Sequence, residues 1–83
     1  MKAILILAGP YSSCAATKNI WQDICLKHNI NFETHDLSES IGKKIAVKMS
    51  LKSFPALLIN DKVVAVGHPS EQAAEKVIQA IVA

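Results

Sequence analysis

A proline directly before an apolar run constrains the fold of this chain more than any other feature. Phe54-Pro55 precedes the run Ala56-Leu57-Leu58-Ile59, the pair Asn60-Asp61 follows, and a second, β-branched run ends at Gly67. Proline has no backbone N–H and is confined to the start of a strand or to an edge, whereas asparagine and aspartate tolerate the backbone of a tight turn. The segment therefore predicts a β-hairpin whose first strand opens at Pro55.

The apolar patterns elsewhere predict two further strands. The nearly continuous apolar run from Lys2 to Leu7 is typical of a central strand that is covered on both faces. The stretch from Ile30 to Asp36 alternates at its start, which favours a strand closer to an edge. Asn29, directly before it, is a plausible left-handed C-cap of a preceding helix.

Three helices are predicted from the spacing of the remaining apolar residues. Serines stand at their starts and are candidate N-caps: Ser12 or Ser13, Ser38 or Ser40, and Ser70. Apolar residues recur at helical spacing in the first helix at Ala16, Ile20, Trp21, Ile24 and Cys25. The buried stripe of the second helix is expected at Ile41, Ile45 and Met49, and that of the third at Ala74, Val77, Ile78 and Ile81.

Size and composition predict one α/β domain over residues 1–83. The chain is 51% hydrophobic and 19% charged, so it can bury a core without disulfides. Its order βαβαββα requires a parallel strand pair with a right-handed crossover, to which the hairpin adds antiparallel strands. The expected architecture is a four-stranded mixed sheet flanked by three helices.

This element order and the Phe54-Pro55 hairpin resemble the thioredoxin/glutaredoxin-like family of small redox proteins, and the resemblance covers essentially the whole chain. In that family the X-Pro bond is cis and faces a Cys-x-x-Cys motif between the first strand and the first helix. Here that motif is degenerate. One alignment gives Tyr11-Ser12-Ser13-Cys14, with Tyr11 in the place of the first cysteine, and the other gives Cys14-Ala15-Ala16-Thr17, a monothiol pattern.

The resemblance implies where partners would bind. Cys14 is the one candidate catalytic residue, and a thiol in the first turn of a helix is either acidic and reactive or an inert small hydrophobe. Tyr11, Ser12 and Ser13 would shape the approach to it. Phe54 and Pro55 would pair with an extended partner segment through the backbone, unless the cis bond is only architectural.

The Gly67-His68-Pro69-Ser70 segment stands where glutaredoxins hold a carboxylate of glutathione at a helix start. Gly67 and Ser70 fit that role, so glutathione is the one candidate ligand and no resident cofactor is expected. His28, His35 and His68 are scattered over different elements, without the spacing of metal ligands, and no metal is predicted.

Charge and cysteine content restrict the expected binding partners and cellular location. The net charge is +2, with nine lysines and no arginine, which does not favour nucleic-acid binding. Cys14 and Cys25 lie too far apart on one helix to form a disulfide, so reduced thiols and a cytoplasmic location are expected. The apolar run at the N-terminus is short for a signal sequence, and no stretch is long enough to span a membrane.

The sequence therefore predicts a role in thiol–disulfide chemistry, at most monothiol through Cys14, with protein thiols or disulfides as partners. The alternative is a redox-inactive binding module that takes an extended peptide in the groove around Tyr11 and Pro55. Because a dithiol pair is lacking, the sequence is compatible with an oxidoreductase and with a protein that is not an enzyme.

Overall fold

The computed structural model describes residues 1–8 and 12–82, and for residues 12–14 it describes the backbone alone. The elements follow the predicted order βαβαββα, which confirms the fold class. Their bounds are β1 Lys2–Leu7, α1 Ser12–Lys27, β2 Asn31–Asp36, α2 Ser40–Lys48, β3 Ala56–Ile59, β4 Lys62–Val66 and α3 Glu71–Val82.

The four strands form one mixed sheet in the order β2-β1-β3-β4. β1 runs parallel to β2, from the pair Lys2 and Asn31 to the pair Leu7 and Asp36. β1 is antiparallel to β3, and β3 is antiparallel to β4. β1 is thus central and β2 lies at an edge, as the apolar run of the one and the alternation of the other predict.

The hairpin between β3 and β4 turns at Asn60 and Asp61. Their φ angles are 51° and 65°, both left-handed, as a two-residue type I′ turn requires. Beyond the turn, Leu58 pairs with Val63 and Leu57 pairs with Ala65, so one extra residue forms a bulge in β4.

Both faces of the sheet are covered. Ala3 and Leu5 of β1 are fully buried in a cluster with Trp21 of α1 and Ile78 of α3. Ile6 points to the opposite face, since side chains alternate along a strand, and it is also fully buried. α2 contacts β1 and β2, whereas α1 packs on α3, β1 and β2. The sheet therefore separates α2 from the other two helices.

One expectation about a helix face is wrong. Ile41 is 54% exposed and does not belong to a buried stripe; Gly42 is the buried residue of α2. A Cβ at Gly42 would overlap the carbonyl oxygen of Asp36, so the glycine lets the helix approach the end of β2. In α1, Ala16 is exposed, and its neighbour Thr17 is buried instead.

The third helix follows its prediction. Ala74 and Ile78 are fully buried, while Val77 and Ile81 pack against the core at its margin. The amide of Ala73 donates to Oγ of Ser70 over 3.2 Å, so Ser70 is the N-cap. Asn29, after α1, has a φ of 57°, the left-handed C-cap that was expected. Within the described ranges, no helix is both long and apolar enough to cross a membrane.

Candidate functional site

The strand register brings the start of the hairpin to the end of β1. Ile6 pairs with Ala56, so Pro55 lies opposite the end of β1, the edge of the sheet from which the chain continues into α1. Ala56 also pairs with Val66, which sets Gly67 beside Pro55. We call the end of β1, the first turns of α1, Pro55 and the β4–α3 segment the cis-proline edge.

Pro55 anchors the cis-proline edge. The Phe54–Pro55 peptide bond is cis, and Pro55 is buried. Its carbonyl oxygen accepts a hydrogen bond of 2.7 Å from the amide of Gly67, whose φ is 86°. Phe54 is half-buried, and among the described residues its backbone forms no hydrogen bond. The hydrogen bond from Gly67 holds the chain at Pro55 against the end of β4.

A second hydrogen bond joins the β4–α3 segment to α1. Oγ1 of Thr17 lies 2.6 Å from Nδ1 of His68, across 51 positions of sequence. Thr17 is 2% exposed, whereas His68 is exposed. A buried hydroxyl requires a partner, and the imidazole supplies it. Sequence reasoning missed this pair, although Thr17 stands one turn before Trp21 and so shares its inward face.

The groups predicted to hold a glutathione carboxylate have partners within the protein. The Gly67 amide donates to Pro55, and Pro69 has no amide to offer. Oγ of Ser70 accepts from the amide of Ala73, and the Ser70 carbonyl accepts from Ala74 over 3.0 Å. The Gly67 amide and the Ser70 hydroxyl oxygen thus already form hydrogen bonds within the protein.

The two cysteines of α1 lie in different parts of the helix. Cys14 is the third residue of the helix, whose first turn contains no acidic residue. Cys25 is fully buried in the core, and burial raises the pKa of its thiol to about 11. Eleven residues of helix separate them by about 16 Å at ~1.5 Å per residue, too far for a disulfide. Cys25, four positions after Trp21, is a core residue.

The side chains of Ser12, Ser13 and Cys14, and all of Tyr11, lie outside the described parts of the chain. Their predicted roles therefore stay predictions. The backbone does fix one point, because α1 already includes Ser12 and Ser13. Cys14 accordingly belongs to the first turn of the helix, where its peptide environment carries the positive end of the helix dipole.

His28 lies at the far end of α1, away from the cis-proline edge. Its Nε2 is 3.0 Å from Oε1 of Glu75 on α3, and the same oxygen accepts from Nζ of Lys27 and Nε2 of Gln79, each over 3.2 Å. The hydrogen bond from His28, followed by that from Lys27, lowers the pKa of Glu75. This cluster ties α1 to α3 and has no reactive group.

His35 links β2 to the start of α2. Its two ring nitrogens lie 3.2 Å from carboxylate oxygens of Glu33 and Glu39. Glu33 also pairs with Lys2 at 3.0 Å, and the hydrogen bond to Lys2 is the main reason that the pKa of Glu33 is lowered. In the described part of the chain, no group of three or more His, Cys, Asp or Glu residues is arranged to hold a metal ion.

The sequence matches a family model described as a thioredoxin domain over residues 2–79. None of the curated proteins matches it significantly.

Solved structures share the fold at low identity. Thioredoxin 1 from the thermophilic eubacterium Thermosipho africanus TCF52B superposes with a TM-score of 0.77 at 17% identity, covering 99% of this chain and 94% of that one. A structure described as a malarial protein gives 0.73 at 19% identity, with coverage of 99% and 97%. Oxidised thioredoxin from Plasmodium falciparum gives 0.76 at 16% identity, with coverage of 99% and 81%.

Proposed function

The chain belongs to the thioredoxin-domain family, and on that premise we propose that it takes part in thiol–disulfide exchange through the single thiol of Cys14. The observation that carries the proposal is the position of Cys14 in the first turn of α1, at the edge of the sheet that contains Pro55. The other thiol, Cys25, is buried and has a raised pKa, so it is excluded as the attacking group.

The start of α1 favours the reactive form of Cys14. Only a thiolate attacks a disulfide, and the unpaired amides and dipole of a helix N-terminus stabilise that negative charge. No acidic residue in the first turn opposes this effect. The proposed site is therefore a place where the pKa of a cysteine falls below its usual value of about 8.5.

The chemistry is a single exchange. The Cys14 thiolate attacks one sulfur of a partner disulfide, a mixed disulfide forms, and the other partner sulfur leaves as a thiolate. Cys25 cannot resolve this intermediate, because it lies about 16 Å along the helix. An external thiol must therefore attack the mixed disulfide and release Cys14. Protein thiols or disulfides of the cytoplasm are the proposed partners, with glutathione as the small-molecule candidate.

Phe54 and Pro55 would position the partner. An extended segment can pair with the unpaired backbone of Phe54, as a short added strand does at a sheet edge. This contact would bring a partner disulfide alongside the start of α1, while Tyr11, Ser12 and Ser13 shape the approach.

The test is the alkylation rate of Cys14 against pH in a Cys25→Ser background, followed by mass spectrometry of the intact protein. We expect rapid labelling that titrates near or below pH 7, and no labelling in a Cys14→Ser, Cys25→Ser control. Oxidised glutathione should then add one glutathionyl group. Labelling of Cys14 that occurs only after unfolding would refute the proposal.

A redox-inactive binding module is the second candidate, and the absence of a resolving cysteine favours it. In that case the cis-proline edge would bind an extended peptide, and Cys14→Ser would leave binding unchanged. An exchange protein would instead lose its partner under denaturing, non-reducing conditions once Cys14 is replaced, since the captured complex is covalent.

A further inference from the structure

The solvent-facing side of α2 combines lysines with apolar residues. Lys43, Lys44 and Lys48 are exposed, and Val47 is 80% and Ile41 54% exposed between them. At about 100° per residue of helix, all five side chains leave the helix within an arc of about 160°. Val47 falls between Lys43 and Lys44 on this arc, and Ile41 falls beside Lys48. We call these five residues the lysine face.

The lysine face has no acidic partner among the described residues. Residues 43–52 contain four of the nine lysines of the chain and none of its seven acidic residues. Asp36 and Glu39, the acidic residues nearest in sequence, stand before the start of α2 and have hydrogen-bonding partners there. The lysines that form ion pairs in the described ranges are Lys2 and Lys27, which belong to other elements. The lysine face is therefore an uncompensated positive surface.

This arrangement does not help α2 to fold. Lys44 and Lys48 are four residues apart, and like charges at that spacing destabilise a helix, whereas a glutamate four residues before a lysine stabilises it. Lys48 suits the last turn of the helix, but Lys43 and Lys44 lie too far from that end to interact with the dipole. Val47 and Ile41 leave apolar surface in water. A local arrangement that opposes folding is typical of a functional surface.

We propose that the lysine face binds an acidic segment of a partner protein, whose carboxylates pair with the three lysines and whose apolar side chain covers Val47. Complementary charge of this kind speeds association and selects against basic partners. An apolar contact surrounded by a polar rim is the usual composition of a protein–protein interface. The proposal goes beyond the proposed function and does not depend on it, because none of these residues takes part in the reaction of Cys14.

Two other kinds of anionic partner fit the lysine face less well. Arginine is the preferred residue for bidentate contacts with phosphates and bases, and this chain has none. A helix that lies on a membrane inserts one continuous apolar side among the lipids. In α2 the opposite side packs against β1 and β2, and the exposed apolar residues Val47 and Ile41 are separated by lysines. Carboxylates on a partner protein require neither arginine nor a continuous apolar side.

The experiment measures, by fluorescence anisotropy, the binding of a labelled synthetic peptide in which glutamates flank a single leucine. A reducing agent is present, so no mixed disulfide contributes. The parent is compared with the double variant Lys44→Gln, Lys48→Gln and with the control Lys62→Gln, Lys76→Gln, which loses the same charge from exposed positions on β4 and α3. Glutamine matches lysine in helix propensity. We expect the first double variant to bind about fivefold more weakly, for two exposed ion pairs of ordinary strength, and the control to bind as the parent does.

Two single variants separate binding from folding. Lys44→Glu places a glutamate four residues before Lys48, so it should keep or raise the melting temperature and yet weaken binding of the peptide. Val47→Thr keeps the shape of the side chain but replaces a methyl group with a hydroxyl. It should weaken binding about threefold, and this loss should persist at high salt, because an apolar contact is not screened. Circular dichroism spectra establish that each variant is folded.

Several results would overturn the inference. Equal losses in the two double variants would show that the peptide responds to net charge alone. Unchanged binding by Lys44→Gln, Lys48→Gln, or no binding by the parent at low salt, would exclude the lysine face as the site. Tighter binding of phosphatidylserine vesicles or of a DNA duplex than of the peptide, lost with the same two lysines, would assign the face to a lipid surface or to a nucleic acid. None of these results bears on the alkylation of Cys14, so the two proposals fail separately.

Discussion

Helix propensity and packing predict opposite effects of Gly42→Ala on the free energy of unfolding. Gly42 is buried within α2, and an added Cβ would overlap the carbonyl oxygen of Asp36 and lie 2.8 Å from its carbonyl carbon. Propensity alone predicts that alanine stabilises the helix by about 1 kcal/mol. The contact predicts the reverse, because the obstacle is backbone at the end of β2 and cannot rotate away as a flexible side chain would.

The magnitude follows from these two effects. Overpacking a filled position costs about 1–3 kcal/mol, and contact with backbone places this case near the upper value. After the propensity gain is subtracted, the free energy of unfolding should fall by about 2 kcal/mol. For a domain of this size, that loss lowers the melting temperature by about 8–16 °C.

The assay is urea unfolding and thermal melting of the parent, Gly42→Ala and Lys44→Gly. Lys44 is exposed on the same helix, so its replacement by glycine measures the propensity effect in this context without a steric change. We expect Lys44→Gly to lose about 1 kcal/mol. A stabilised Gly42→Ala protein, with Lys44→Gly destabilised as expected, would refute the claim that α2 needs a glycine to approach Asp36.

Three further predictions concern other residues. Cys25, with a pKa of about 11 and no exposure, should resist thiol reagents at pH 8 in a Cys14→Ser protein and react on unfolding; rapid labelling of the folded protein would contradict its burial. Ser70→Ala should lower the free energy of unfolding by about 1 kcal/mol, measured in urea, because Ala73 loses its capping oxygen, and Ser70→Asn should retain most of it. Glu75 has a lowered pKa in the folded state, so its contribution to stability is present above the unfolded carboxyl pKa and is lost as pH falls through the folded value. Glu75→Gln should therefore reduce the fall in melting temperature between pH 5 and pH 3, and an unchanged fall would show that the bonds to His28 and Lys27 contribute nothing.

The architecture could be predicted because several local signals agree. Pro55, the Asn60-Asp61 turn and the cap at Ser70 each fix a boundary through backbone chemistry that does not depend on distant residues. Together with the apolar run of β1, they determine the element order. The order then leaves few topologies that satisfy the crossover rule.

The errors have a common physical cause. Ile41 looks like a core residue by its spacing, but which face of α2 is buried depends on the close approach of Gly42 to Asp36, a contact between elements. The link between Thr17 and His68 was missed for the same reason. Spacing from Trp21 places Thr17 on the inward face of α1, but its partner lies 51 positions away and no local pattern identifies it.

The residues of the cis-proline edge are also widely separated in the order of synthesis. Its parts are synthesised at different times: Cys14 precedes α2, whereas Pro55, Gly67 and His68 come only after α2 has been made. β1 cannot complete its pairing with β3 before Ile59 is available. A nascent chain that has reached α2 therefore holds the cysteine without the proline or the histidine. Any selectivity that this edge gives to the thiol can therefore begin only after these later residues have been synthesised.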